Sequence, residues 1–379
     1  MAEFLPYGRQ SVVAADVEAV AEVLRGDWLT TGPAVTRFEA DLAGWTGGVP
    51  AVAVTSGTAA LHVAYAAAGV GPGDEVVCSP MTFVATAATA AMHGATVVFA
   101  DVSPETANVL PDAVKAAVTA RTKVVAAVDF AGHPADLGTL GELAHEAGAL
   151  LLEDAAHSIG GSWQGRPVGS WADLTTFSFF PTKNLTTAEG GAVCAADPEL
   201  LGRAQEFRNH GLVRDRSRQR FPDEGGWHQE VHAFGLNYRL PDVLCALGSS
   251  QLSRLSSFVA RRAELHARYR AGLSDLEGVA LPVTLPGAEP AWHLFALRVL
   301  GGRRRELYEF LRERGIGVQV NYIPVYWHPV FADLGYRRGM CPGAERFYAE
   351  ELSLPLWPDL SDADVDRVIG EVRAFFGHA

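Results

Sequence analysis

Lys183 has the most chemistry to offer, because of what precedes it. The run 174–180 is β-branched and aromatic, which predicts a buried strand, and Pro181 ends it because proline cannot donate to a ladder. A lysine just past such a strand, under apolar cover, has its amine pushed toward the neutral form. A neutral amine attacks a carbonyl and forms a Schiff base. The plainer alternative is a lysine that caps the strand and snorkels to water. Asp154 follows the apolar run 150–152 and Glu153 at another strand end. It is either a helix N-cap or the carboxylate that keeps a proton on a buried cationic heterocycle. Ser56-Gly57-Thr58 joins a strand at 51–55 to a helix at 59–68. This turn sets backbone amides and two hydroxyls at a positive helix end, an anion site, although Ser and Thr also serve as simple N-caps. The segment Asp27-Trp28-Leu29-Thr30, bounded by Gly26 and Gly32, is either a packed turn or a binding loop.

The elements that must position these groups alternate. Strands are expected at 51–55, 75–78, 96–100, 123–128, 149–153, 174–180 and 191–195. Helices are expected at 14–25, 59–68, 83–93, 111–119 and 137–147. Such alternation gives a mainly parallel sheet covered on both faces, with ligands at the carboxyl ends of its strands. From about 241 the pattern changes. One long helix is expected over 241–270, with Arg254, Arg261, Arg262 and Arg268 on its polar positions. Then come a strand at 293–299, a helix at 303–314, a strand at 318–322 and a last helix at 363–376. The polar, charged stretch 214–229 reads as a mobile loop.

The 379 residues favour two domains, and 48% apolar content is ordinary for a globular chain. A formal charge of −13 argues against nucleic acid, and it leaves any bound phosphate dependent on local donors. No apolar run is long enough to suggest a membrane span, and residues 1–7 lack the pattern of a signal peptide. Cys78, Cys194, Cys245 and Cys341 are far apart, with no metal-ligand spacing, which fits small hydrophobes in a reducing cytoplasm.

A phosphate-type turn, an aromatic at Phe83, Asp154, Ser178, Lys183 and Glu189-Gly190-Gly191 stand in this order. They are the groups that pyridoxal 5'-phosphate requires: an amine for its aldehyde, an acid for its ring nitrogen, an aromatic on its ring and donors for its phosphate. Six ordered motifs carry a resemblance. They are Thr55-Ser56-Gly57-Thr58-Ala59-Ala60-Leu61, Pro80-Met81-Thr82-Phe83, Glu153-Asp154-Ala155-Ala156-His157, Phe177-Ser178 with Lys183, Arg208-Asn209-His210-Gly211 and Asn237-Tyr238-Arg239. Across essentially its whole length the chain resembles the DegT/DnrJ/EryC1/StrS sugar aminotransferases. Within that family it is most similar to those of the pseudaminic acid pathway, which aminate the C4 ketone of a UDP-2-acetamido-2,6-dideoxy-hexos-4-ulose with L-glutamate as donor.

The resemblance implies an α/β, fold-type-I transferase with a large cofactor-binding domain, 1–245, and a smaller α+β C-terminal domain, 246–379. It implies that Lys183 binds the cofactor as a Schiff base and moves the proton, and that Asp154 pairs with the ring nitrogen. Phe83 would stack on the ring with His157 at its other side, and Ser56, Gly57, Thr58 and Ser178 would hold the phosphate. Asn237 would reach the phosphate of a neighbouring subunit, which makes the active sites shared within a homodimer. Tyr7, Asp27, Trp28, Leu29, Thr30, Ser56, Asn321, Tyr322, Ile323 and Pro324 would line the sugar-nucleotide pocket, with no metal. Two positions depart from the pattern: Phe180 stands where many relatives have histidine, and Asn321 where the subgroup often does. Other substrates stay open, namely a dTDP-linked keto sugar or an aminocyclitol of antibiotic biosynthesis. So do two other roles. A pyridoxal-phosphate sugar dehydratase would carry histidine for the lysine or a cysteine cluster, and a non-catalytic regulator would need a basic face or a DNA-binding helix pair. The sequence has none of these.

Overall fold

The computed structural model describes residues 4–377, so the first three residues of the 1–7 stretch lie outside them. A seven-stranded sheet forms the centre. Its order is Ala51–Val54, Gly191–Cys194, Leu174–Ser178, Leu150–Asp154, Thr122–Val128, Glu75–Cys78 and Thr96–Phe99. The four pairings from Leu174–Ser178 to Thr96–Phe99 are parallel, and Gly191–Cys194 runs antiparallel to both of its neighbours. Buried Val, Leu and Ala fill both faces, as expected of strands covered by helices on each side. Val128 lies opposite Asp154, and Asp154 opposite Thr176, so the carboxyl ends of three central strands finish together. The site must lie there.

A second, three-stranded antiparallel sheet is built from Val279–Ala280, Phe295–Val299 and Glu351–Leu354. Its third strand differs from the one expected. Residues 318–322 form no strand beyond a single bridge from Gln319 to Ser353. The ladder stops because the Asn321 N–H is taken by the Glu351 side chain, at 2.7 Å, instead of by a backbone carbonyl.

The long helix expected over 241–270 is two helices, Asp242–Leu252 and Leu255–Leu273, separated at Ser253-Arg254. A division placed at 245/246 would cut the first of these. Arg262 is not on a polar face but fully buried. The 214–229 stretch is closed into a hairpin by Leu212–Val213 and Glu230–Val231. Glu230 accepts the backbone N–H groups of Arg220 and Phe221 at 2.8 and 2.7 Å and contacts His228 and His232, which gives a polar loop a defined course.

Candidate active site

The loop after Leu174–Ser178 turns at once: the Lys183 N–H bonds back to the Phe180 carbonyl at 2.9 Å. Two buried side chains clamp this turn. Asn184 donates to the carbonyls of Ala291 and His157 at 2.6 and 3.2 Å. Arg262 donates to the carbonyls of His293, Leu356, Thr182 and Lys183 at 3.2, 3.1, 3.5 and 3.5 Å. A buried guanidinium served by carbonyls alone is costly, and burial pushes it down to about 10. What that cost secures is the position of the lysine backbone.

The Lys183 side chain enters a cavity of about 440 Å³. Burial pushes its amine down to about 8, with Asp154 pulling in the opposite direction. Asp154 is buried at the same cavity. It accepts from the Thr86 hydroxyl at 2.6 Å and the Ala156 N–H at 3.3 Å. Burial raises its carboxyl above the usual range, while those two bonds and Lys183 hold it down. His157 is buried beside Tyr322, its Nε2 3.3 Å from the phenol oxygen, and 4.4 Å from His293 between ring centroids. Burial keeps its imidazole neutral. Phe83 is more than half exposed at the mouth, its ring 6.2 Å from that of Tyr322.

Ser56 caps the helix Gly57–Ala67 by accepting the Ala59 N–H at 3.1 Å. That leaves the N–H groups of Gly57 and Thr58 at the cavity, beside Ser178. A side chain at residue 57 would bring its Cβ to 2.7 Å from the Ser178 Cβ, so only glycine lets the helix end and the strand end meet here. The donor set suits a doubly charged phosphate, the unpaired amine an aldehyde and the buried carboxylate a ring N–H⁺. Pyridoxal phosphate therefore fits the residues present.

The cavity gathers Tyr7, Ser56, Gly57, Thr58, Phe83, Asp154, His157, Ser178, Lys183, Asn321 and Tyr322 from the expected set. Seven expected residues lie outside it. Asp27, Trp28, Leu29 and Thr30 form an exposed loop before the helix Pro33–Trp45, at whose start Asp242 accepts the N–H groups of Gly32 and Ala34 at 2.8 and 2.9 Å. Ile323 is exposed away from the cavity. Pro324 is buried where the Val325 N–H bonds to the Pro80 carbonyl at 3.0 Å. Asn237 is exposed and pairs with Asn209, also outside. The cavity adds Thr86, Thr182, Glu189, His293 and Gln319, and Phe180 stands on its wall. Among the described residues no group of His, Cys, Asp and Glu is arranged to hold a metal ion.

A lysine whose amine burial draws toward its neutral form, a buried carboxylate and a helix end suited to a phosphate, set at the carboxyl ends of this sheet, define a pyridoxal-phosphate-dependent aminotransferase. The comparisons agree: the chain belongs to the DegT/DnrJ/EryC1/StrS aminotransferase family, whose model matches residues 10–373. The spore coat polysaccharide biosynthesis protein SpsC of Bacillus subtilis is 40% identical over 376 residues, 98% of this chain and 96% of that one. PseC of Helicobacter pylori, an aminotransferase involved in the biosynthesis of pseudoaminic acid, is 29% identical, with TM-score 0.92 and coverage of 99% and 100%. Spr1654 of Streptococcus pneumoniae, solved in a PLP form, is also 29% identical, with TM-score 0.92 and 99% of each chain covered. The cofactor is pyridoxal 5'-phosphate.

Proposed function

We propose that the chain moves an amino group from L-glutamate to the C4 ketone of a nucleotide-linked 6-deoxy-4-keto sugar, and we assign UDP-2-acetamido-2,6-dideoxy-hexos-4-ulose as the substrate. The observation that carries this is the make-up of the cavity at Lys183. Lys183, Asp154 and the helix-end cradle account for the cofactor, while Tyr7, Gln319, Asn321 and Tyr322 supply a separate polar and aromatic wall suited to a sugar. When bound, pyridoxal phosphate supplies an aldehyde carbon and a ring that accepts an electron pair. Ser56, Gly57, Thr58 and Ser178 would hold its phosphate, as they must in a chain of charge −13. Lys183 Nζ takes a proton from the substrate carbon and returns it, which its lowered pKa permits near neutrality. Similarity to PseC supports the sugar assigned. Phe180 and Asn321 on the cavity wall favour a second reading, a dTDP-linked keto sugar or an aminocyclitol.

Competition between UDP- and dTDP-linked 4-keto sugars with L-glutamate as donor, scored by product mass and by NMR of the aminated carbon, tests the assignment. Preferred turnover of the UDP sugar at C4 is expected. Preference for dTDP, or amination at C3, would overturn the sugar and leave the aminotransferase standing.

We also propose a homodimer with shared sites, working in the cytoplasm. Asn237 and the 27–30 loop are exposed outside their own cavity, where a second copy can use them. The four cysteines are free and buried, and among the described residues no helix is long and apolar enough to cross a membrane. Mixing inactive Lys183→Ala with inactive Asn237→Asp under subunit exchange is expected to restore part of the activity, because one hybrid site recovers both groups. Mixtures that exchange subunits yet stay inactive would place Asn237 within its own chain's function.

A further inference from the structure

Behind the cavity wall lies a fully buried carboxylate that the proposed chemistry does not use. Glu351 Oε2 accepts the Asn321 N–H at 2.7 Å, and Oε1 meets the Ser353 hydroxyl at 2.5 Å. The Ser353 oxygen lies 3.0 Å from the Asn321 side-chain amide, and the Tyr7 hydroxyl 2.8 Å from the same end of it. Tyr7 and Asn321 line the cavity; Glu351 and Ser353 do not.

The direction of these bonds follows from counting protons. A backbone N–H can only donate, so Oε2 always accepts, and any proton on Glu351 sits on Oε1. With Oε1 bare, Ser353 donates to it and must accept from Asn321, whose NH2 then faces inward and whose oxygen faces the cavity. With Oε1 protonated, it donates to Ser353. The serine hydrogen is then freed, and in this fully buried position it gains an acceptor when the Asn321 oxygen faces inward, which turns the NH2 to the cavity. Tyr7 can follow either direction, since a hydroxyl both donates and accepts.

We propose that Asn321 is a specificity-determining residue of the sugar site and that Glu351, acting through Ser353, is the positioning residue that sets whether its amide offers the sugar an acceptor or a donor. This rests on the sugar reading of the cavity. Burial pushes the Glu351 carboxyl up to about 8, against the pull of the Ser353 and Asn321 bonds and of Arg304. The other groups facing it are Tyr7 and Tyr322, each raised in part by Glu351, and Arg298, which lies opposite it across the sheet and pairs with Glu350 at 3.1 Å. Arg262 stands beyond Tyr7. Both directions are therefore populated between pH 7 and 9. The acceptor faces the sugar at the alkaline end and the donor at the acid end.

The test is the dissociation constant of the UDP-linked 4-keto sugar, measured by calorimetry on the holoenzyme with no amino donor present, so that binding is read without transfer. Across pH 6.5 to 9.5 the wild type is expected to change affinity about tenfold through a one-proton step, the effect of gaining or losing one hydrogen bond. Glu351→Gln must turn its oxygen to the Asn321 N–H and its NH2 to Ser353. It reproduces the protonated state and is expected to hold the low-pH affinity throughout. Ser353→Ala breaks the link and is expected to lose the step although Glu351 remains. Thermal unfolding shows whether each variant is folded. Lys183 is present in all three proteins, so a difference between them belongs to the relay. A wild type whose affinity does not change with pH, or a Glu351→Gln that keeps the step, overturns the proposal while amination of the sugar keeps the function reading intact. A sugar that neither binds nor reacts overturns both.

Discussion

Lys183→Ala is expected to lose amino transfer by at least about 10²–10⁴-fold, the range set by removing a positioned proton carrier, and to keep its fold. The fold survives because the lysine amine takes no hydrogen bond from any described residue. Asp154 keeps its bonds from Thr86 and Ala156 when the amine is gone, and Arg262 and Asn184 hold the backbone of the turn, not its side chain. Stability should change by no more than about 1 kcal/mol. The attachment site is checked directly. Borohydride reduction of the holoenzyme, followed by peptide mapping, should place the pyridoxyl group on Lys183, and a label on another lysine would refute the mechanism. The pH dependence carries a sign. Burial lowers the amine to about 8, so its reactive neutral form grows as pH rises through that value. Reductive labelling of the apoprotein with pyridoxal phosphate should therefore accelerate from pH 7 to 9, well below the range of a surface lysine. A rate that rises only near pH 10 would mean the amine is solvated and the cavity does not tune it.

The parallel sheet and the residues at its strand ends were legible because both leave local signals. Continuous apolar runs marked buried strands, and a breaker or polar group marked each strand end, as at Asp154 and Pro181. Four helices escaped notice although each opens on proline in its first turn: Pro33–Trp45, Pro198–Arg208, Pro329–Asp333 and Pro342–Glu350. Arg262 was misplaced for a different reason. It shares a stripe with Phe258, Leu265 and Tyr269, which helical spacing would have shown, but a charge on an apolar stripe is easily assigned to the surface. What local pattern could not show is which distant backbone carbonyls would receive it. The same holds for Glu351. Nothing near it in sequence shows that residue 321 would present its N–H there and end a strand. By likeness of motif the 27–30 loop was assigned to the sugar pocket and Asn237 to the phosphate of a neighbouring subunit, and both lie outside the cavity of their own chain.

Asp154→Asn tests the other half of the cofactor site, and its expected effect is a loss of roughly 10²-fold or more in kcat with a smaller change in KM. The argument starts from cost. A carboxylate buried among apolar neighbours is disfavoured, and Asp154 shows it: its pKa is raised despite two hydrogen bonds and a nearby amine. A ring N–H⁺ placed against it would offset that cost and keep the ring protonated, so that it can draw electrons from the reacting carbon. Asparagine has nearly the same shape and can still accept from Thr86. Its NH2 would face the Ala156 N–H, two donors where one bond now spans 3.3 Å, a local loss of about 1 kcal/mol that the fold tolerates. What it cannot supply is negative charge, so the ring nitrogen would lose its proton while the phosphate cradle and Lys183 stay in place. The measurement is kcat and KM for both substrates, together with thermal unfolding and reductive labelling of Lys183. A folded variant that still labels at Lys183 but turns over slowly is the expected result. Near-wild-type turnover would show that Asp154 is only a buried cap for the turn at Ala156.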